Sequence, residues 1–111
     1  ITYEKCAAAD GTLTGEVNGD CGAGTVVFTY LSVLPGTPIV RFAGEYMITT
    51  SECSITAVCG GFVNTGNGRV VLNGVVTAGP YLGAVVEVRA QANADLSCSK
   101  GTMIITPIRR K

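Results

Sequence analysis

The chain of 111 residues carries eight basic and eight acidic side chains, a net charge of zero, no histidine, and charged residues at only 14% of positions, against about 25% in an ordinary soluble domain. Its length suits a single domain that buries roughly two thirds of its unfolded surface and folds without a metal or cofactor. The neutral balance lacks the basic stripe that nucleic acid requires, the missing histidine removes the commonest general base and metal ligand, and no apolar run approaches the ~20 residues of a membrane-crossing helix.

No segment sustains a 3.6-residue apolar period, whereas alternation with period two recurs from end to end. A short strand is expected over residues 2–6, with residues 1–9 also able to extend from the domain as an N-terminal arm. Strands follow over 11–17 and 25–33, and then over 39–50, where Val40, Phe42, Gly44, Tyr46 and Ile48 share one face while Arg41 and Glu45 lie on the other. Residues 54–63 and 69–78 read as two more. The clearest alternation runs over 82–94, with Leu82, Ala84, Val86, Val88, Ala90 and Ala92 on one face and Glu87 and Arg89 on the other; a last strand is expected over 102–108.

The spacers are turn chemistry: Asn18-Gly19-Asp20, Leu34-Pro35-Gly36-Thr37-Pro38, Asn64-Thr65-Gly66-Asn67-Gly68, Ala78-Gly79-Pro80, and a final loop over 95–101. Gly44 and Gly74 fall inside strand patterns, where glycine marks a bulge or a tight bend. Seven or eight short strands with tight links give an all-β fold. An antiparallel β-sandwich, jelly-roll-like, is the first expectation, and a small closed β-barrel is the alternative.

Five cysteines, Cys6, Cys21, Cys53, Cys59 and Cys98, occur without a Cys-x-x-Cys pair, so disulfides in an oxidising compartment are expected rather than zinc. If residues 54–63 form one strand, Cys53 and Cys59 stand roughly 20 Å apart and cannot bond. A Cys6–Cys21 bridge closing an N-terminal hairpin is favoured, with Cys98 in the last hairpin loop meeting Cys53 or Cys59. An odd thiol remains, to cross-link another copy or to stay buried and inert.

Catalytic chemistry is thin. No serine or cysteine has a histidine to activate it. Glu45 and Glu87, if on neighbouring strands, approach a glycosidase pair, but Arg41 and Arg89 on the same faces make ordinary charge pairing the better account. Asp10, Asn18 and Asp20 match no calcium loop and read as turn residues. The basic tail Arg109-Arg110-Lys111 is too short for a nucleic-acid site.

The leading expectation is therefore a non-catalytic, secreted or cell-surface structural subunit that pairs with copies of itself into a layer or fibre. It would do so by N-terminal strand addition locked at Cys6. The alternative is a secreted β-barrel holding a small apolar ligand behind Phe28, Tyr30, Phe42 and Tyr46. No cofactor or metal is expected in either.

Overall fold

A computed structural model describes residues 1–19, 22–94 and 96–107. Eight strands run in chain order: β1 (Thr2–Ala7), β2 (Leu13–Asn18), β3 (Gly24–Leu34), β4 (Ile39–Thr50), β5 (Ser54–Asn64), β6 (Arg69–Ala78), β7 (Val85–Ala92) and β8 (Cys98–Thr106). Each pairs antiparallel with the next, and β8 returns to pair with β1, so the sheet closes on itself as a barrel. The all-β expectation holds, and of the two architectures the chain adopts the barrel. The sandwich is corrected by that β1–β8 ladder, which runs from Thr2↔Thr102 to Cys6↔Cys98 and leaves no second sheet to pack against.

The same ladder corrects the N-terminal arm. Residues 2–7 are hydrogen-bonded to β2 on one side and β8 on the other, and the Ile1 ammonium donates to the Met103 carbonyl at 3.1 Å. A strand paired on both edges is not free to reach a neighbouring copy. Two boundaries also shift by three residues or more. Gly79 and Gly83 both take positive φ, 108° and 86°, and bend residues 79–83 into a turn, so β7 begins at Val85 rather than at Leu82. Pairing with β1 draws the start of β8 back to Cys98, where a loop is expected.

Alternate side chains point inward and fill one end of the barrel. Val17, Val26, Ile48, Ile55, Val76, Val86 and Met103 are buried there, with Phe28, Tyr46, Ala57, Cys59 and Val88 above them. Gly44 makes room for the Phe28 ring: a Cβ at that position would fall inside contact distance of the ring and of the Thr29 carbonyl. The bulge foreseen near Gly44 lies on the facing strand, where the β3–β4 register shifts between Tyr30 and Ser32. Gly74 sits in unbroken register between Cys59 and Val86.

The walls are unequal in height. β4, of 12 residues, spans roughly 40 Å, while β1 and β2, of six each, span roughly 20 Å. The bulge at Leu31 restores the inward direction for Val33, which pairs with Phe42, so the tall β3–β4 hairpin carries apolar side chains beyond the filled part of the barrel.

Candidate apolar pocket at the barrel mouth

The barrel is open at the end where β1 meets β2, β3 meets β4, β5 meets β6 and β7 meets β8. A cavity of about 170 Å³ opens there, lined by residues from every strand. Its rim is apolar and accessible: Tyr30 is 43%, Val33 48% and Leu96 38% exposed. Val40, Val63, Val70, Leu72 and Phe42 form the walls. The mouth is braced by the Pro38 carbonyl, which accepts from the Thr65 amide at 2.7 Å and its hydroxyl at 2.9 Å, tying the β3–β4 loop to the β5–β6 loop. Leu96 takes a φ of 63°, alone among the described non-glycine residues in having a positive value. A leucine held there is strained, as residues at binding sites often are.

At the bottom of the cavity lies Lys5, 6% exposed. The strand alternation that turns Tyr3 inward turns Lys5 inward too, and the register sets it between Gly15 on β2 and Ser99 on β8. Gly15 has no side chain to compete with the lysine stem. The Lys5 Nζ donates to Ser99 Oγ at 2.9 Å. It also lies over the rings of Phe28, Tyr3 and Tyr46, at 5.2, 5.4 and 5.9 Å from their centroids, close enough for attraction to the negative ring faces. Burial brings its pKa down to about 8. Lys5 is the one charged side chain among the described residues that line the cavity.

The four aromatic residues expected to form a pocket stand together, in two layers. Tyr30 and Phe42 line the cavity, their centroids 5.7 Å apart. Phe28 and Tyr46 are wholly buried beneath, with the Phe28 ring 5.1 Å from Tyr30, 6.0 Å from Phe42 and 4.7 Å from Tyr46. Below the lysine the hydroxyls of Tyr3 and Tyr46 face each other at 3.4 Å, and burial pushes both pKa values up. Lys5 and Ser99 are the residues that sequence reasoning passes over. The available signal is parity, since Lys5 shares the inward face of Tyr3 within residues 2–6.

The cysteines pair differently from the expectation. Cys6 bonds Cys98 within the chain, joining first strand to last beside the Lys5–Ser99 pair. This corrects both the favoured Cys6–Cys21 bridge and the placement of Cys98 in a loop: Cys6 and Cys98 face each other directly across the ladder that closes the barrel. A Cys6 satisfied within its own chain also removes the lock on which N-terminal strand addition depends. Cys53 is disulfide-bonded, and Cys21 lies outside the described residues. Cys59 is free, only 1% exposed, with its thiol pushed up to about 11 by burial. It packs inside the barrel against Gly74, out of reach of another copy.

The remaining candidates do not assemble. Glu45 on β4 and Glu87 on β7 have two strands between them, roughly 14 Å along the sheet, beyond the reach of a glycosidase pair. Glu87 instead pairs with Arg89 at 3.3 Å. Asp10 does turn work, accepting from the Thr12 amide at 3.0 Å and hydroxyl at 2.6 Å, which hold its carboxyl below the usual range. Asp20 and Arg109-Arg110-Lys111 lie outside the described residues, among which no helix is long and apolar enough to cross a membrane. Compared with protein-family models, with curated proteins and with solved structures, the chain finds no match.

Proposed function

We propose that this protein is a non-catalytic, extracytoplasmic β-barrel that binds a small apolar ligand at its open end. The observation that carries this reading is the contrast between the two ends. One is packed shut, while the other holds a 170 Å³ cavity rimmed by exposed Tyr30, Val33 and Leu96. An apolar cavity of about 150 Å³ accommodates one benzene, so the ligand is a single ring or a short aliphatic chain, with any longer body emerging between the tall hairpin and Leu96. The Cys6–Cys98 disulfide fits an oxidising compartment.

Toluene added to the unreduced protein is expected to shift the NMR signals of the Val33, Val40 and Leu96 methyl groups in a saturable way. Val40→Trp, which fills the wall of the cavity, is expected to abolish those shifts while leaving the barrel spectrum intact. Toluene that leaves the cavity methyls untouched, or that binds Val40→Trp as well as wild type, overturns the reading.

Self-association remains a second reading, supported by the outer wall rather than by strand addition. Val58, Val75 and Val85 are successive partners across β5, β6 and β7, with Val75 41% and Val85 49% exposed, on a chain of zero net charge. Light scattering across a concentration series tests it. A mass that grows with concentration, and returns to 11.4 kDa in Val75→Glu/Val85→Glu, supports pairing through this wall; a constant 11.4 kDa ends it.

A further inference from the structure

We propose that the pocket selects a small carboxylic acid, an aromatic or short aliphatic anion whose carboxylate sits on Lys5 Nζ and Ser99 Oγ and whose apolar body fills the mouth. The inference rests on the apolar-pocket reading above and adds the head group. The positive charge at the cavity floor is uncompensated. The lysine side chain at the cavity floor has no carboxylate within ion-pairing distance among the described residues, and of its three N–H donors one is committed, to Ser99 at 2.9 Å. The others meet aromatic faces and the cavity. Ser99 Oγ accepts that bond, so its own O–H is left to donate. Two donors, one of them cationic, therefore converge at the base of a cavity whose other lining is almost wholly apolar.

Orientation follows from burial. Lys5 is 6% exposed, and the rim residues Tyr30, Val33 and Leu96 are 38 to 48% exposed. A ligand enters head first, and its carboxylate leaves water for the one positive charge that lines the cavity among the described residues, a charge with no carboxylate beside it. In that poorly hydrated setting a charge-assisted hydrogen bond is stronger than one in water. A neutral ligand of the same shape gains the apolar contacts but leaves the lysine unpaired. A cationic one meets like charge.

The titratable groups around Lys5 keep the pH response simple. Tyr3 on β1, Tyr30 on β3, Tyr46 on β4 and Cys59 on β5 all have their pKa values raised by burial, so they stay neutral while Lys5 loses its proton near pH 8. Carboxylate binding should therefore weaken as the pH rises through that point.

The test compares sodium benzoate with benzyl alcohol, of similar shape, by NMR titration of the full unreduced chain at pH 6.5 and 9.5. Wild type is expected to bind benzoate at least tenfold tighter than benzyl alcohol at pH 6.5, and to lose about tenfold in benzoate affinity by pH 9.5. Lys5→Met should lose the preference for benzoate together with its pH dependence, and Ser99→Ala should weaken benzoate more than benzyl alcohol. Equal affinities in wild type, or a Lys5→Met protein that still prefers benzoate, overturn the carboxylate assignment and leave the apolar pocket standing. If neither probe binds and toluene does not bind either, the pocket reading falls and this one with it.

Discussion

Replacing Cys6 and Cys98 together by alanine is expected to cost the folded state about 4 kcal/mol, lowering Tm by roughly 15–20 °C for a domain of this size. The bridge joins residues 92 apart in sequence, so in the unfolded chain it closes a loop of nearly the whole protein, and the entropy it removes is near the upper end for disulfides. In the folded state it sits on the one ladder that local sequence cannot organise, β1 against β8. Denaturant unfolding of the double variant checks the loss. Amide hydrogen exchange should show β1 and β8 opening first, because the remaining seven ladders join consecutive strands. A loss below about 1 kcal/mol would mean that backbone pairing and inward packing alone hold the seam. Reductant is the poorer experiment, since Cys53 is bridged as well.

Lys5→Met is expected to stabilise the protein by about 3 kcal/mol at pH 7, roughly 12 °C in Tm. The charged lysine is held in an apolar interior, and burial lowers its pKa from 10.5 to about 8. Below pH 8 both folded and unfolded chains carry the proton, and the whole penalty for burying it is present. Between about pH 8 and 10.5 the folded state releases the proton while the unfolded state keeps it, so wild-type stability climbs with pH. Above that range the penalty is gone. The gap between variant and wild type should therefore be widest at neutral pH and close toward pH 10.5. Cys59 and the buried tyrosines work in the opposite direction at high pH, but they are common to both proteins and cancel in the difference. A Lys5→Met protein no more stable than wild type at pH 7 would show that the ring faces and Ser99 already offset the burial. A charge kept at such a cost, at the base of an open cavity, is where a binding site is to be sought.

Much of the fold is legible along the chain because strands announce themselves locally. Alternation over residues 39–50, 54–63 and 69–78 coincides with β4, β5 and β6 to within a residue. The glycine and asparagine spacers mark the hairpins in the right places, since a tight antiparallel turn needs those backbone angles wherever it occurs. Of the misplaced boundaries, the start of β7 has a local cause, the glycine turn over residues 79–83, and the start of β8 a tertiary one. Cys98 to Gly101 are read as loop, lacking a run of β-formers, and become strand because β1 lies beside them.

The site is less legible. Phe28, Tyr30, Phe42 and Tyr46 stand out as aromatics at strand parity and do cluster. Nothing in their spacing says that two form a cavity wall and two a filled floor. That division depends on the height to which the barrel is packed and on the bulge at Leu31 that turns Val33 inward. Lys5 is harder still. A lysine in a short terminal strand is ordinarily solvated, and only a strand flanked on both sides, with Gly15 and Ser99 as its neighbours, carries it inside.

The order of residues by itself determined the strand content, the hairpins between consecutive strands and the want of a histidine-based site, because turn geometry and alternation act over a few residues. Only the tertiary structure decided between sandwich and barrel, chose Cys98 as the partner of Cys6, sealed Cys59 away and placed a lysine at the base of an apolar mouth. All four depend on the pairing of β1 with β8. That is a contact between the two ends of the chain, and the inward-outward alternation, which is the same in a sandwich as in a barrel, carries no record of it.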